Sequence, residues 1–332
     1  MNLQWEAVTL NLRTTWRIAH GATDQRHNVI AHIAGGLGEG AGVPHHGESQ
    51  AGIIAYLEQV GDRIWDPFQL EDVLNNLPEG SMSAHAAIDL ALHDLLGQKL
   101  GQPLYRLLGL NPARAPETSF TIAMDEPQIM AERAKESGMP IIKIKLGSEN
   151  DEAIVSAIRQ ATSARLRADA NAGWTRQKAL EIIPRLAAYD LEFIEQPLPV
   201  GDIEGLHWLH DQLKAQGVML PIFADENIKL ARDVAAHAGA VDGVVVKLMK
   251  TGGIREALRA IHTARALDMQ IMIGCMVETS VGVTAAAHIA PLCDFADLDG
   301  PLLILNDPYQ GLTYQGARMV LNDKPGLGLE RK

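Results

Sequence analysis

From about residue 118 onward, short apolar runs that end on a polar residue recur at near-even intervals, and this constrains the fold more than any other feature. The runs at 118–124, 141–146, 165–169, 191–195, 221–225, 243–247, 270–274 and, more weakly, 294–298 read as strands. Between them, 126–138, 151–163, 175–189, 229–238 and 253–267 read as helices. Gly243-Val244-Val245-Val246 is almost wholly apolar, as a parallel strand covered on both faces requires. Seven or eight such units favour a closed β/α barrel over an open sheet. In a barrel the strand ends form one rim, so the residues that end successive strands converge.

Three of those strand-end residues are acids. Asp169, Glu195 and Asp225 close their runs with gaps of 26 and 30 residues, about one strand–helix unit each. Three oxygen ligands with no cysteine or histidine beside them suit Mg²⁺ better than Zn²⁺. The competing reading is helix caps or loop ion pairs. Lys143 and Lys145 lie two apart and so point to one side of a strand. An amine in an apolar strand needs anionic partners, unless the strand is a solvated edge. A neighbouring lysine and a cation would depress the Lys145 pKa and let it act as a base near neutrality. Lys247 ends the most apolar run, four strands later and so across the barrel. Two amines on opposite faces of one carbon could remove and return a proton, inverting a stereocentre. Lys250 reads as a loop or secondary group. Asp297 and Asp299 share one side of an extended segment and would repel each other without a cation. A substrate ammonium is one candidate for that cation; turn-forming acids before Gly-Pro are the alternative.

The first 115 residues differ. Residues 1–43 alternate as strands do, with turn glycines in "GGLGEGAG", and Ser83–Leu100 has helical spacing. After a Pro- and Gly-rich linker at 109–117, the strand–helix repeats begin. This divides the chain into an α+β domain, 1–115, and a barrel, 116–309. The "GGLGEGAG" glycines are no dinucleotide fingerprint, because no helix opens behind them. The adjacent His45 and His46 read as a solvated loop. Cys275 and Cys293 are too few for a disulfide framework, and Cys275 reads as a small buried side chain rather than a nucleophile. A net charge of −12 without a basic stripe argues against nucleic acid. The N-terminus lacks a basic–apolar leader, and nowhere are there eighteen consecutive apolar residues, so a cytoplasmic enzyme without membrane partners is expected.

At this point the chain resembles the enolase superfamily, over nearly its whole length. "AIDLALHDLLGQKLGQPLYRLLG" is similar to the capping-domain helix of the muconate-lactonizing subgroup. Lys-x-Lys at 143–145, "DAN" at 169–171, "EQP" at 195–197, "DEN" at 225–227 and "KLMKTGGI" at 247–254 follow in that family's order. "CMVETSVG" (275–282) and "DLDGPL" (297–302) resemble the dipeptide epimerases. The resemblance implies a modified (β/α)7β barrel of the (β/α)8 type, capped by an α+β domain that residues of about 310–332 complete. It implies one Mg²⁺ on Asp169, Glu195 and Asp225, with Lys145 and Lys247 as the acid/base pair. Lys143 would support the enolate oxygen, and Asn171 and Glu226 would stand behind the metal ligands. Thr121 and the segment Cys275, Met276 and Val277 would line the substrate site. Asp297 and Asp299 would hold a dipeptide's ammonium. A homo-oligomer is the implied assembly. Members specific for Ala-Glu resemble one another in a basic residue in the amino-terminal loop; here the loop carries His20, Gly21 and Thr23, with Gly21 at the basic position. That implies L-Ala-L-Xaa with a small or hydrophobic Xaa, although Arg17 and Arg26 lie close by. The alternatives are an L-Ala-D/L-Glu epimerase, an o-succinylbenzoate synthase or muconate cycloisomerase, and a non-catalytic ligand-binding paralogue.

Overall fold

The computed structural model describes residues 2–18, 21–61, 63 and 65–332. Strands β1 (Leu3–Ile18), β2 (Gly21–Ile33) and β3 (Gly36–Ala41) form an antiparallel sheet in that order. The register runs from Leu3 opposite Ile33 to Ile18 opposite Gly21, with an irregularity between Asn11 and Trp16 that twists the outer half of the hairpin. The inner half is buried. Val29, Ala31 and Ile33 pack on Ile53, Leu57, Ile88 and Leu92 from helices Gln50–Val60 and Met82–Leu100. Both helices start on a serine cap: Ser49 accepts from the Gly52 amide and Ser81 from the Ala84 amide.

The glycines of "GGLGEGAG" are mostly not turn residues. Gly36, Gly38 and Gly40 occupy alternate positions of β3, facing the helix Met82–Leu100. A Cβ on them would lie 2.1 Å from the Ala91 carbonyl oxygen, 1.9 Å from that of Ala87 and 2.6 Å from that of Ser83. The strand therefore lies backbone to backbone against the helix, which only a residue without a side chain permits.

The barrel follows. Strands β4 (Phe120–Ile122), β5 (Ile141–Lys145), β6 (Arg165–Asp169), β7 (Leu191–Glu195), β8 (Ile222–Ala224), β9 (Gly243–Lys247), β10 (Gln270–Gly274) and β11 (Phe295–Asp297) pair in sequential parallel order. The seam closes where Thr118 bridges Ala296 and the Ser119 amide donates to the Ala296 carbonyl, 3.0 Å. The fold is thus the capped β/α barrel expected from the strand–helix period, and each expected strand is found to within two residues at its ends. Two of the crossover helices, Ile203–Ala215 and Ser280–Ile289, were not among those read from the pattern; the second is buried along its whole length and so lacks a polar face.

Alternation then fills the barrel. Inward-facing Phe193, Phe223, Val245, Met272 and Phe295 make a plug, with the Arg167 guanidinium 5.6 Å from the Phe193 ring and 5.0 Å from that of Phe295. Two residues further along the same strands stand Asp169, Glu195, Asp225, Lys247, Gly274 and Asp297. The plug is thus the floor on which the polar layer rests.

The last residues return to the first domain. Tyr309–Gln310 pairs with Glu330–Arg331, the Tyr309 hydroxyl donates to Glu6 at 2.8 Å, and the Leu327 amide donates to Asp94 at 2.7 Å. Among the described residues no helix is long and apolar enough to cross a membrane.

Candidate active site

The polar layer at the carboxyl end of the barrel is buried and densely paired. Oxygen atoms of Asp169, Glu195 and Asp225 lie within 4.8 Å of one another. Lys145 donates to Asp169 at 2.6 Å, and Lys247 donates to Asp225 at 2.6 Å. These two amines stand on β5 and β9, four strands apart, with Asp169 and Glu195 ending β6 and β7 between them and Asp225 just past β8. Lys143 lies 3.1 Å from Asp169, 2.7 Å from Glu195 and 2.8 Å from Asp297. Burial acts to lower the Lys143 ammonium, but the carboxylates of Asp297, Glu195 and Asp169 outweigh it and hold it well above its usual value. Lys247 is raised in the same way, against burial, chiefly by Asp225. Gly274 keeps space for it: a Cβ there would meet the Lys247 chain at 3.1 Å.

A divalent cation fits this donor set. Neither Glu195 oxygen accepts an aligned hydrogen bond, although both are buried and Lys143 is near. Burial first, and then the Asp169 charge, raise the Glu195 carboxyl well above its usual range. Three converging carboxylates, one of them without a hydrogen-bond donor, are what a hard cation with oxygen ligands requires.

Backbone strain holds the acids in place. Asn171 and Gln196 have left-handed φ values of 45° and 38°. The turn at Asn171 lets its amide donate to Asp169 at 2.9 Å, and its side chain reaches Glu226 at 3.3 Å. Gln196 accepts from the Asp225 amide at 2.9 Å, tying two metal-ligand strands together. Gln196 carried no role in the sequence reading, although "EQP" contains it. Lys250, read as a loop group, is also buried here: its amine lies 2.5 Å from Asp225 Oδ1 and also meets the Asp225 carbonyl.

Asp297 and Asp299 both line the cavity, but not as one extended stretch. β11 ends at Asp297, and Asp299 has φ −97° and ψ 0° at the start of the short helix Gly300–Leu303. Ser119 donates to Asp297 at 2.7 Å and the Thr121 amide donates to Asp299 at 2.7 Å. Burial, then the Asp297 charge, push the Asp299 carboxyl up to about 7. Ser119 is a further residue the sequence reading missed; its signal was its place two residues before Thr121, just ahead of β4.

Above this floor is a cavity of about 620 Å³ including its open mouth. Lys145, Lys247, Asn171, Glu226, Asp297 and Asp299 meet it from below, and Thr121, Cys275, Met276 and Val277 from the side. Cys275 is half-buried; burial first and then the Glu278 charge push its thiol well above its usual value, which keeps it a wall residue. The wall is pinned to the first domain. Met276 donates its amide to Glu278 at 2.6 Å, Asn28 donates to the Val277 carbonyl at 3.0 Å, and buried Glu39 accepts from Asn28 at 2.8 Å and from the Thr279 hydroxyl at 2.7 Å.

The roof differs from the loop the sequence reading chose. Gly21 is exposed at the hairpin tip with nothing within 4 Å of a Cβ, and Thr23 donates to its neighbour Gln25 at 2.8 Å. Neither lines the cavity, and His20 lies outside the described residues. Trp16, Arg26, Val43 and His46 form the roof instead. His46 belongs to a one-turn helix, Pro44–His46, and is half-buried rather than solvated. Burial lowers the Arg26 guanidinium from its usual value.

Comparison with known proteins agrees with this geometry. Residues 4–109 match the mandelate racemase/muconate lactonizing enzyme N-terminal domain, and residues 128–332 match the enolase C-terminal domain-like family. The chain is 42% identical over 301 residues to an L-Ala-D/L-Glu epimerase of Bacteroides thetaiotaomicron, covering 89% of this chain and 77% of that one. It is 37% identical over 348 residues to a hydrophobic dipeptide epimerase of Roseobacter litoralis, covering 99% and 98%. A crystal structure of a dipeptide epimerase from Enterococcus faecalis, complexed with Mg and L-Leu-L-Tyr, superposes with a TM-score of 0.91 at 35% identity, covering 99% of each chain. With both domain models matched and these relatives aligned over most of its length, the chain belongs to the mandelate racemase/muconate lactonizing enzyme group of the enolase superfamily.

Proposed function

We infer that the protein is an isomerase that inverts the α-carbon of the C-terminal residue of L,L-dipeptides. One observation carries this reading: two buried amines, on β5 and β9, flank three convergent carboxylates, with a second carboxylate pair at and just past the end of β11. Relatives named as dipeptide epimerases support it.

Asp169, Glu195 and Asp225 are the residues that would hold Mg²⁺, which supplies positive charge against a carboxylate whose α-proton is leaving. The need is large. An α-proton beside a carboxylate is many pK units weaker as an acid than an ammonium, and each unit is about 1.4 kcal/mol. Lys145 takes the proton from one face of the α-carbon and Lys247 returns one to the other; starting from the opposite epimer, the roles exchange. Lys143 adds a fixed positive charge beside the same acids. Asp297 and Asp299 receive the dipeptide's ammonium, which offsets the burial and the Asp297 charge that raise the Asp299 carboxyl. That pair argues for a substrate carrying both an ammonium and a carboxylate, which a cycloisomerase substrate does not.

Incubation in D₂O tests the reading. Deuterium is expected at the C-terminal α-carbon from either epimer, with epimerization lowered by about 10³- to 10⁴-fold in Lys145→Ala and in Lys247→Ala. Epimerization within about tenfold of the wild-type rate in either variant would overturn the two-base scheme. Mg²⁺-dependent thermal stabilisation with no exchange from any dipeptide would favour a binding paralogue instead.

A further inference from the structure

We infer that Asp89, in the helix Met82–Leu100 of the first domain, is a positioning residue for the metal site. It fixes the turn after β9 so that Lys250 holds one oxygen of Asp225 and leaves the other on the cavity side. This rests on the Mg²⁺ reading above.

Lys250 is 4% exposed and does not line the substrate cavity. Its ammonium has three N–H donors, and three oxygens meet it: Asp225 Oδ1 at 2.5 Å, the Asp225 carbonyl, and the Val245 carbonyl at 3.1 Å. Lys247, which does line the cavity, takes Asp225 Oδ2 at 2.6 Å. Each oxygen of Asp225 therefore has its own amine. Asp169 differs, because Lys143 and Lys145 both meet its Oδ2. A carboxylate tied through Oδ1 and through its own carbonyl resists turning, so Oδ2 points in a fixed direction. Groups behind a metal ligand set its orientation and with it the affinity for the ion.

What seats Lys250 lies in the other domain. Lys250 stands on the one-turn helix Leu248–Thr251, followed by Gly252 and Gly253 with left-handed φ values of 80° and 120°. The next helix, Ile254–Ala266, has no side-chain cap of its own. Asp89, 165 residues earlier than Ile254 and buried, supplies one. Its Oδ1 accepts from the Ile254 amide at 2.6 Å and its Oδ2 from the Arg255 amide at 3.3 Å. His93 faces the same Oδ1 at 3.1 Å. Gly253 permits the approach, since a Cβ there would lie 2.3 Å from that of Asp89. The Gly252 and Gly253 amides both donate to the Leu248 carbonyl at 2.9 Å, which closes the turn on itself. The segment carrying Lys250 is thus fixed at Lys247 by β9 and at Ile254 by Asp89.

Mg²⁺ titrated calorimetrically into the substrate-free protein tests this. Lys250→Met is expected to weaken Mg²⁺ binding by about 10- to 100-fold. Asp89→Asn keeps the shape but offers one acceptor oxygen, and should weaken it by about tenfold. The double variant should bind within about twofold of Lys250→Met, because Asp89 acts through Lys250. Coupling is reciprocal, so Mg²⁺ should slow amide hydrogen exchange over 248–258 in the wild type and not in Lys250→Met. That wild-type measurement decides even where Asp89→Asn does not fold. A cap that serves stability alone would lower the denaturation midpoint of Asp89→Asn and leave its Mg²⁺ affinity within about twofold, which overturns the inference. Removing an ammonium by itself favours a cation, so unchanged or tighter Mg²⁺ binding in Lys250→Met overturns it too. Losses that add in the double variant, or exchange over 248–258 that ignores Mg²⁺, do the same. A wild type that binds no Mg²⁺ overturns the metal reading as well.

Discussion

The floor and the roof of the cavity are built on opposite principles. On the floor, Lys143, Lys145, Lys247 and Lys250 are all buried, and every one lies against a carboxylate. The roof residues Trp16, Arg26 and His46 are only half-buried and come from a hairpin and a one-turn helix. The floor tolerates little substitution because removing any member leaves a buried charge unpaired. The roof can vary without that penalty. The paired charges of the floor thus belong to the barrel and the half-buried roof to the first domain.

The floor should break first and hardest. Lys145→Ala or Lys247→Ala is expected to lower kcat for epimerization by about 10³- to 10⁴-fold, near 4–5 kcal/mol, measured by polarimetry or NMR of the two epimers. If a roof substitution such as Trp16→Ala costs as much in kcat, the division of labour is wrong.

The joint between the two regions comes next. Gly38→Ala would place a Cβ 1.9 Å from the Ala87 carbonyl oxygen, a backbone atom that no rotamer change can clear. The expected cost is about 3 kcal/mol, the upper end for overpacking, read as a lower denaturation midpoint. Mg²⁺ at 100 times its dissociation constant should stabilise the protein by about 2.7 kcal/mol. Asp225→Asn should remove most of that gain, whereas Arg26→Met should leave it.

The smallest expected effect is a pH dependence at the edge of the floor. The Asp299 carboxyl sits at about 7 against an ordinary 3.8, so the folded form holds its proton more tightly than the unfolded chain does. Its contribution to stability is therefore present below about pH 4 and lost as the pH rises toward 7. Binding has the opposite sign: an ammonium favours the ionised carboxylate, so kcat/KM should rise about tenfold through neutrality. Asp299→Asn should remove that limb; a limb that persists would assign it to another group.

Much of the floor was legible in the sequence because it obeys period two within each strand and one strand–helix unit between strands. Asp169, Glu195, Lys145 and Lys247 all end their strands, so spacing alone brings them to one rim. Gln196 and Ser119 were less legible because their roles are hydrogen bonds across strands, which leave no periodic trace. Lys250 looked like a loop residue because its helix, Leu248–Thr251, is one turn long. The β3 glycines looked like a turn because a strand pressed against a helix backbone and a turn ask for the same residue. The roof was hardest to read. Whether Gly21, Thr23 or Arg26 reaches the cavity depends on the twist of the hairpin past Asn11 and on how the first domain docks over the barrel.

The sequence by itself determined a barrel, a rim of three acids between two lysines, and a family. These follow from local periodicity, which chain order preserves. Tertiary structure alone decided which cation overlooks the cavity, how Asp225 is held from two sides, and why β3 has glycine at alternate positions. Those depend on surfaces brought together from residues hundreds of positions apart, where no short-range pattern records the contact.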